Sequence, residues 1–233
     1  MTLPPEVTAF DRYVVTGNFI PAQRELAVRR AIALGADVLV MIDDDMAFPP
    51  DALTQLCDAL ALDPNLAVAG ALYYSRDGLR PMAATRWHSA NTTTAGIPAF
   101  SDRVVPVDAV GFGCVALRVS AFRALAPPYL SSQIFIQEAA ANVRVCNEDF
   151  LLCERLRQAG FGVALHAGVR CGHYDRDRGV IEPQTWEAAS ATAHERMLTL
   201  EPGPRYVLVP YDGTGSTANE RHERPVMEYV IVD

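Results

Sequence analysis

Apolar positions along the chain fall into short continuous runs that alternate with stretches of helical spacing. The sharpest run is VLVMI at 38–42, which passes directly into Asp43, Asp44 and Asp45 and stops at Pro49-Pro50. A short run rich in Val and Ile, closed by turn residues, predicts a strand buried on both faces, as in parallel sheets. Before it, residues 21–35 (PAQRELAVRRAIALG) predict a helix: proline suits the first turn, Leu26, Val28, Ala31 and Ile32 offer an apolar side, and Gly35 suits the position past the end. After it, Pro50 opens a second helix with Leu53, Leu56, Cys57 and Leu60 at helical spacing. Residues 66–74 (LAVAGALYY) predict another apolar strand, leading into the turn 75–78.

The same reading places a short strand at 13–16, followed by a Gly17-Asn18 turn. Residues 80–106 lack periodicity and predict an irregular region or hairpin, the kind of long connection that often carries function. Residues 108–118 (DAVGFGCVALR) predict a strand bent at its glycines, and Ser120 a cap for a short helix before Pro127-Pro128. In NEDFLLCERLRQAG at 147–160, Asn147 is a good N-cap, Gly160 suits the end, and Phe150, Cys153 and Leu156 share one side. Short strands are expected at 161–165 and 169–171. The character changes at the charged link 175–178 (DRDR), beyond which a helix at 183–200 and strands at 205–209 and 226–232 are expected. Strands alternating with helices define an α/β layered fold. Residues 1–174 read as its core and 175–233 as a C-terminal helix-and-strand appendage, through which the chain is expected to form homo-oligomers.

Composition narrows the chemistry. The net charge of −8 and the lack of a basic run argue against general nucleic-acid binding. No apolar stretch reaches membrane-spanning length, and MTLPPEVTAF lacks the basic and apolar regions of a signal peptide, so a cytoplasmic protein is expected. Five cysteines with no C-x-x-C pair read as buried free thiols. All 20 basic residues are arginine. The absence of lysine excludes a P-loop nucleotide site, Schiff-base chemistry and a standard protein kinase.

Two acidic groups stand out. The three aspartates close a buried strand at the end where open α/β sheets place ligands. Adjacent carboxylates repel, and a cation such as Mg²⁺ or Mn²⁺ relieves that repulsion. The plainer alternative is a solvated acidic turn. Glu148 and Asp149 sit in a first helical turn, where the dipole and free amides favour ionised acids without any function being needed.

Taken together, QRELAVRRAIALGADVLVMIDDDMAFPPDAL, GALYYSRDG, VDAVGFGCVALR and NEDFLLCERLRQAGFGVALHAGVRCGH resemble the nucleotide-sugar-dependent glycosyltransferases of GT-A fold, close to the family 2 group and its short bacterial and phage-type members. The resemblance spans roughly residues 20–174. It implies a GT-A-like, Rossmann-like mixed sheet flanked by helices, a UDP- or GDP-sugar donor, and Mn²⁺ or Mg²⁺ as cofactor. Asp43 and Asp45 match the D-x-D motif, with Asp44 between them on the donor side, and His173 matches the histidine that completes the metal site. Arg24 aligns with an arginine near the pyrophosphate, and Gly111, Phe112 and Gly113 with a loop flooring the sugar pocket; Arg76 is expected to approach the donor, the plainer alternative being a turn residue. Glu148-Asp149 match the E-D motif, whose aspartate serves as general base in inverting members.

One departure is plain. Relatives begin with a buried strand and a turn that holds the nucleotide base, and nothing before Tyr13 resembles it. Residues 205–213 (RYVLVPYDG) read as a strand and turn that could fill that slot from the C-terminus; the other expectation is a frame that starts late. The rival readings are a non-catalytic GT-A-like binding or assembly module and a sugar-nucleotide nucleotidyltransferase. The second wants a glycine-rich N-terminal signature and lysines, both missing. A haloacid-dehalogenase-type phosphatase wants Thr or Val where Ala47 stands. Sugar, acceptor and anomeric outcome are not specified by the sequence.

Overall fold

A computed structural model describes residues 7–17, 19–78, 80–89, 104–137, 142–182, 207–209 and 226–232. The helix expected at 183–200 and the loop before 226 lie outside the described residues. The chain begins with β1 (Phe10–Thr16), α1 (Ile20–Leu34), β2 (Val38–Asp43), β3 (Met46–Ala47), α2 (Ala52–Leu62) and β4 (Leu66–Leu72). Next come β5 (Ala83–Ala84), β6 (Val104–Pro106), β7 (Ala109–Val110), β8 (Cys114–Arg118) and a 3₁₀ turn (Val119–Ala124). The remainder comprises β9 (Gln133–Gln137), β10 (Asn142–Cys146), α3 (Glu148–Gln158), β11 (Gly162–Arg170), β12 (Gly172–Asp175), β13 (Gly179–Ile181), β14 (Val207–Val209) and β15 (Val226–Val232).

Seven strands form the main sheet in the order β1-β15-β2-β8-β4-β11-β6. β11 runs parallel to β4, and every other neighbouring pair is antiparallel, so β1, β2, β4 and β11 share one direction. The sheet is therefore mixed, with helices on both faces, as expected of an α/β protein.

Alternation along the central strands explains the layers. On β2, Leu39 and Met41 pack with Ala27, Val28 and Ala31 of α1 and Leu152 and Leu156 of α3, while Val40 and Ile42 pack with Leu53, Leu56 and Leu60 of α2 on the opposite face. β4 is buried along its whole length. Its Gly70 admits β7, because a Cβ there would lie 2.8 Å from Val110 Cγ2. Gly35 ends α1 in the left-handed conformation, φ 74°, its N–H donating back to the last turn, as its position predicted.

Three sequence expectations change. The buried stripe of α1 is Arg24, Ala27, Val28 and Ala31, whereas Leu26 and Ile32 are 46% and 38% exposed. The inward side carries a charge and small residues, which hides it from a hydrophobicity reading. Second, residues 207–209 pair with β9 in a separate three-stranded sheet, so they do not fill the slot beside β2. That slot is taken by β15, antiparallel, with Met227 opposite Asp43 and Val232 opposite Val38. The last strand of the expected appendage is thus an interior strand of the main sheet. Third, the segment after Arg118 is a 3₁₀ turn with no side-chain cap, not a helix capped by Ser120.

Candidate functional site

The carboxyl end of β2 delivers Asp43 and Asp45 to one edge of the sheet, and three other elements converge there. α1 contributes Arg24, whose side chain is only 5% exposed. Its Nη2 donates to both oxygens of Asp43 at 3.0 Å, and its Nη1 donates to Glu148 Oε1 at 2.5 Å. Asp149 Oδ2 lies 4.0 Å from the same Nη1, and the guanidinium stands over the Phe112 ring at 5.6 Å. One buried cation thus ties α1, the end of β2 and the start of α3 together. Burial opposes the charge on Arg24, yet Asp43, Glu148 and Asp149 around it raise its pKa above the ordinary arginine value.

Asn147 occupies the N-cap position of α3, as predicted, though its side chain makes no cap hydrogen bond. Asp149 Oδ1 instead accepts from Phe150 N at 2.7 Å. Burial, reinforced by the Glu148 charge, pushes the Asp149 carboxyl up to about 7 against the opposing pull of Arg24. Asp43 is also raised, by burial, with Arg24 working in the other direction.

A second group lies beside the first, with an exposed arginine in place of a buried one. β3 pairs with β12 so that His173 stands opposite Met46, and Tyr174 N donates to Asp45 O at 2.7 Å. That register sets His173 Nε2 3.1 Å from Asp45 Oδ2. The other ring nitrogen, Nδ1, lies 2.8 Å from Tyr74 O. In the protonated ring both nitrogens donate, Nδ1–H to that carbonyl and Nε2–H to Asp45 Oδ2; in the neutral ring that keeps Nδ1–H, Nε2 has a free lone pair. Arg76, on the turn after β4, donates from Nη2 to Asp45 Oδ2, and its Nε lies 3.4 Å from His173 Nε2. Burial works against ionisation of both Asp45 and His173, but their mutual hydrogen bond, together with Arg76 on Asp45 and the Tyr74 carbonyl on His173, lowers the Asp45 pKa and raises that of His173.

Between the two groups stands Tyr73, which sequence reasoning passed over as one more residue of an apolar strand. Its hydroxyl accepts from Gly113 N at 2.9 Å, and its ring meets His173 edge-on at 5.7 Å. Gly111 and Gly113 make room for it. A Cβ at 111 would lie 2.2 Å from the Tyr73 oxygen, and one at 113 would lie 2.8 Å from Cζ. Phe112 and both glycines are buried, so this segment packs Tyr73 and supports Arg24 rather than presenting an open floor. Asp44 is exposed at the tip of the turn.

The structure therefore gathers every residue singled out from the sequence at one edge, in two groups. The expected metal triad is not gathered as such. Asp43 faces Arg24, and among the described residues no three His, Cys, Asp or Glu side chains are grouped to hold an ion. Asp45 and His173 stand at a separation that suits both a direct hydrogen bond and shared ligation of a divalent cation. Two ligands about 2.1 Å from one ion, at right angles, stand about 3.0 Å apart, close to the separation seen here, and the backbone carbonyl on Nδ1 orients the ring as metal-binding histidines require. All five cysteines are buried free thiols. Among the described residues no helix is long and apolar enough to cross a membrane.

Fold and site together define an α/β protein with a mixed sheet and an acidic, arginine-braced edge. No family model matches the chain and no curated protein matches it. The solved structure of A197 from STIV is similar in outline, at 14% identity and a TM-score of 0.49, over 72% of this chain and 73% of that one. A likeness of that extent carries nothing about activity.

Proposed function

We propose that the chain is a metal-dependent glycosyltransferase of GT-A type, moving a sugar from a nucleoside diphosphate to an acceptor hydroxyl. The observation that carries this reading is the convergence, where β2 ends and α3 begins, of a hydrogen-bonded Asp45–His173 pair with a buried Asp149 whose carboxyl is raised to about 7. A carboxylate of that basicity is matched to proton abstraction near neutral pH.

Each group then has a task. Asp149 takes the proton of the acceptor hydroxyl as its oxygen bonds to the anomeric carbon; the bond from that carbon to the diphosphate breaks, and its electron pair leaves with the phosphate. Asp45 and His173 would hold a divalent ion, which would supply charge neutralisation for the leaving diphosphate. Glu148 and Arg24 are positioning residues that hold Asp149 and the end of β2 in register. Tyr73 fixes the His173 ring from behind.

Thermal-shift measurements with UDP- and GDP-sugars, with and without Mn²⁺, test the reading. Stabilisation that needs both the ion and one donor, and that disappears in Asp45→Ala, is the expected outcome. No response to any donor, with or without the ion, favours the alternative of a non-catalytic module, in which arginines alone neutralise the aspartates.

A further inference from the structure

Asp45 Oδ2 and His173 Nε2 converge on one point, and a cation of the protein's own already stands there. Arg76 donates to that same Oδ2 and approaches that same Nε2. Nothing buries it in place: its side chain is 62% exposed, whereas Asp45 is 17% exposed. The turn that carries it is held through its backbone instead, by Gly78 N to Ser75 O at 2.7 Å, Ser75 N to Arg80 O at 2.8 Å, and Arg178 Nη1 to the carbonyls of Arg76 and Asp77 at 3.4 and 3.3 Å. The side chain can therefore swing while its anchor stays fixed.

We propose that Arg76 is an exchangeable counter-cation, which keeps Asp45 and His173 aligned while no metal ion is bound, gives way to a divalent ion, and then engages the donor diphosphate. This rests on the sugar-nucleotide reading above. The physics is a matter of shared acceptors and like charge. A guanidinium and a divalent ion compete for the same oxygen and the same ring nitrogen, and a dication in that position repels a guanidinium beside it. A bound diphosphate brings the negative charge that attracts Arg76 back, now to phosphate oxygens, which suit its fork of N–H donors. Arg76 thereby opposes binding of the ion alone and favours binding of ion and donor together.

The two effects have opposite signs, and that makes the proposal testable on the full chain. Mn²⁺ affinity is measured by calorimetry, or by the electron paramagnetic resonance of the free ion. UDP and GDP affinities are then measured in saturating Mn²⁺. In Arg76→Ala, Mn²⁺ alone should bind at least about fivefold more tightly and the preferred nucleoside diphosphate at least about fivefold more weakly, the lower end of ordinary coupling between sites. Arg76→Gln, which keeps the stem and some hydrogen bonding but not the charge, should follow the same direction. Mn²⁺ affinity that is unchanged or weakened in both variants overturns the exchange while leaving the sugar-nucleotide reading intact. A wild-type chain that binds neither Mn²⁺ nor either nucleoside diphosphate defeats both.

Discussion

The two acidic groups at this sheet edge are built from the same parts, a strand-end aspartate and an arginine, and they differ most in the exposure of the arginine, 5% for Arg24 and 62% for Arg76. Arg24, Glu148 and Asp149 are buried, and the half-buried Asp43 accepts from the same guanidinium. Arg76 lies in solvent and reaches in to Asp45 and His173, which are largely covered. Burial makes the inner group rigid and shifts its proton affinities, because every charge removed from water must find a partner. The outer group keeps weak, replaceable contacts, as a site that exchanges ligands requires. On the proposed reading, one edge of one sheet separates proton chemistry from cation binding.

The largest expected effect falls on the inner group. Asp149→Asn should lower turnover by about 10² to 10⁴-fold, the usual contribution of a general base, with donor binding retained. The wild-type rate should rise with pH through about 7 as Asp149 loses its proton. Stability should move the other way. The folded carboxyl holds its proton up to about pH 7 while the unfolded one releases it near 4. The folded state therefore binds more protons across that window, and stability falls as pH rises through it. Asn cannot ionise, so Asp149→Asn should match wild type near pH 4 and exceed it by up to about 4 kcal/mol above pH 7. Chemical denaturation at the two pH values reads this directly. Wild-type turnover in the variant would remove the assignment.

Next comes Arg24→Met. It preserves the stem over Phe112 but strands the carboxylates of Asp43 and Glu148 without their shared partner. Breaking a buried ion pair from one side costs about 3–5 kcal/mol, a large share of the roughly 5–15 kcal/mol that holds a domain folded. The urea midpoint should drop accordingly. A drop of under about 1 kcal/mol would mean that the inner group is not closed in solution.

The contrast also explains what could be read from the chain beforehand. Asp43, Asp45, Glu148 and Asp149 were legible because each lies next to an element boundary that local pattern predicts. The two halves of a sequence motif do not reveal which aspartate meets which cation. That depends on the β3–β12 register, which sets His173 beside Asp45, and on the inward face of α1, which gives Asp43 to Arg24. Leu26 and Ile32 looked like the packing side of α1 because hydrophobicity cannot anticipate a buried arginine satisfied by acids 19 and 124 residues away. Tyr73 was hidden in an apolar strand; its only signal was a pair of glycines, Gly111 and Gly113, well downstream. The placing of β15 between β1 and β2 leaves no local trace at all, since strand order is decided by which edge can still be paired.

The smallest expected effect is the sharpest check on the comparison. Arg76→Ala removes an arginine–aspartate contact of the same chemical kind as Arg24–Asp43, yet its stability cost should be under about 1 kcal/mol. In the exposed pair, water replaces the lost partner and salt already screens the attraction. Raising the ionic strength should shrink even that cost, while leaving the penalty of Arg24→Met almost unchanged, because ions do not enter the buried cluster. The two variants, unfolded in urea at low and high salt, should therefore differ several-fold in penalty and also in salt response. Equal penalties would place the two arginines in one shared environment. The division of the edge into a closed proton site and an open cation site would then fail, even with every hydrogen bond described above intact.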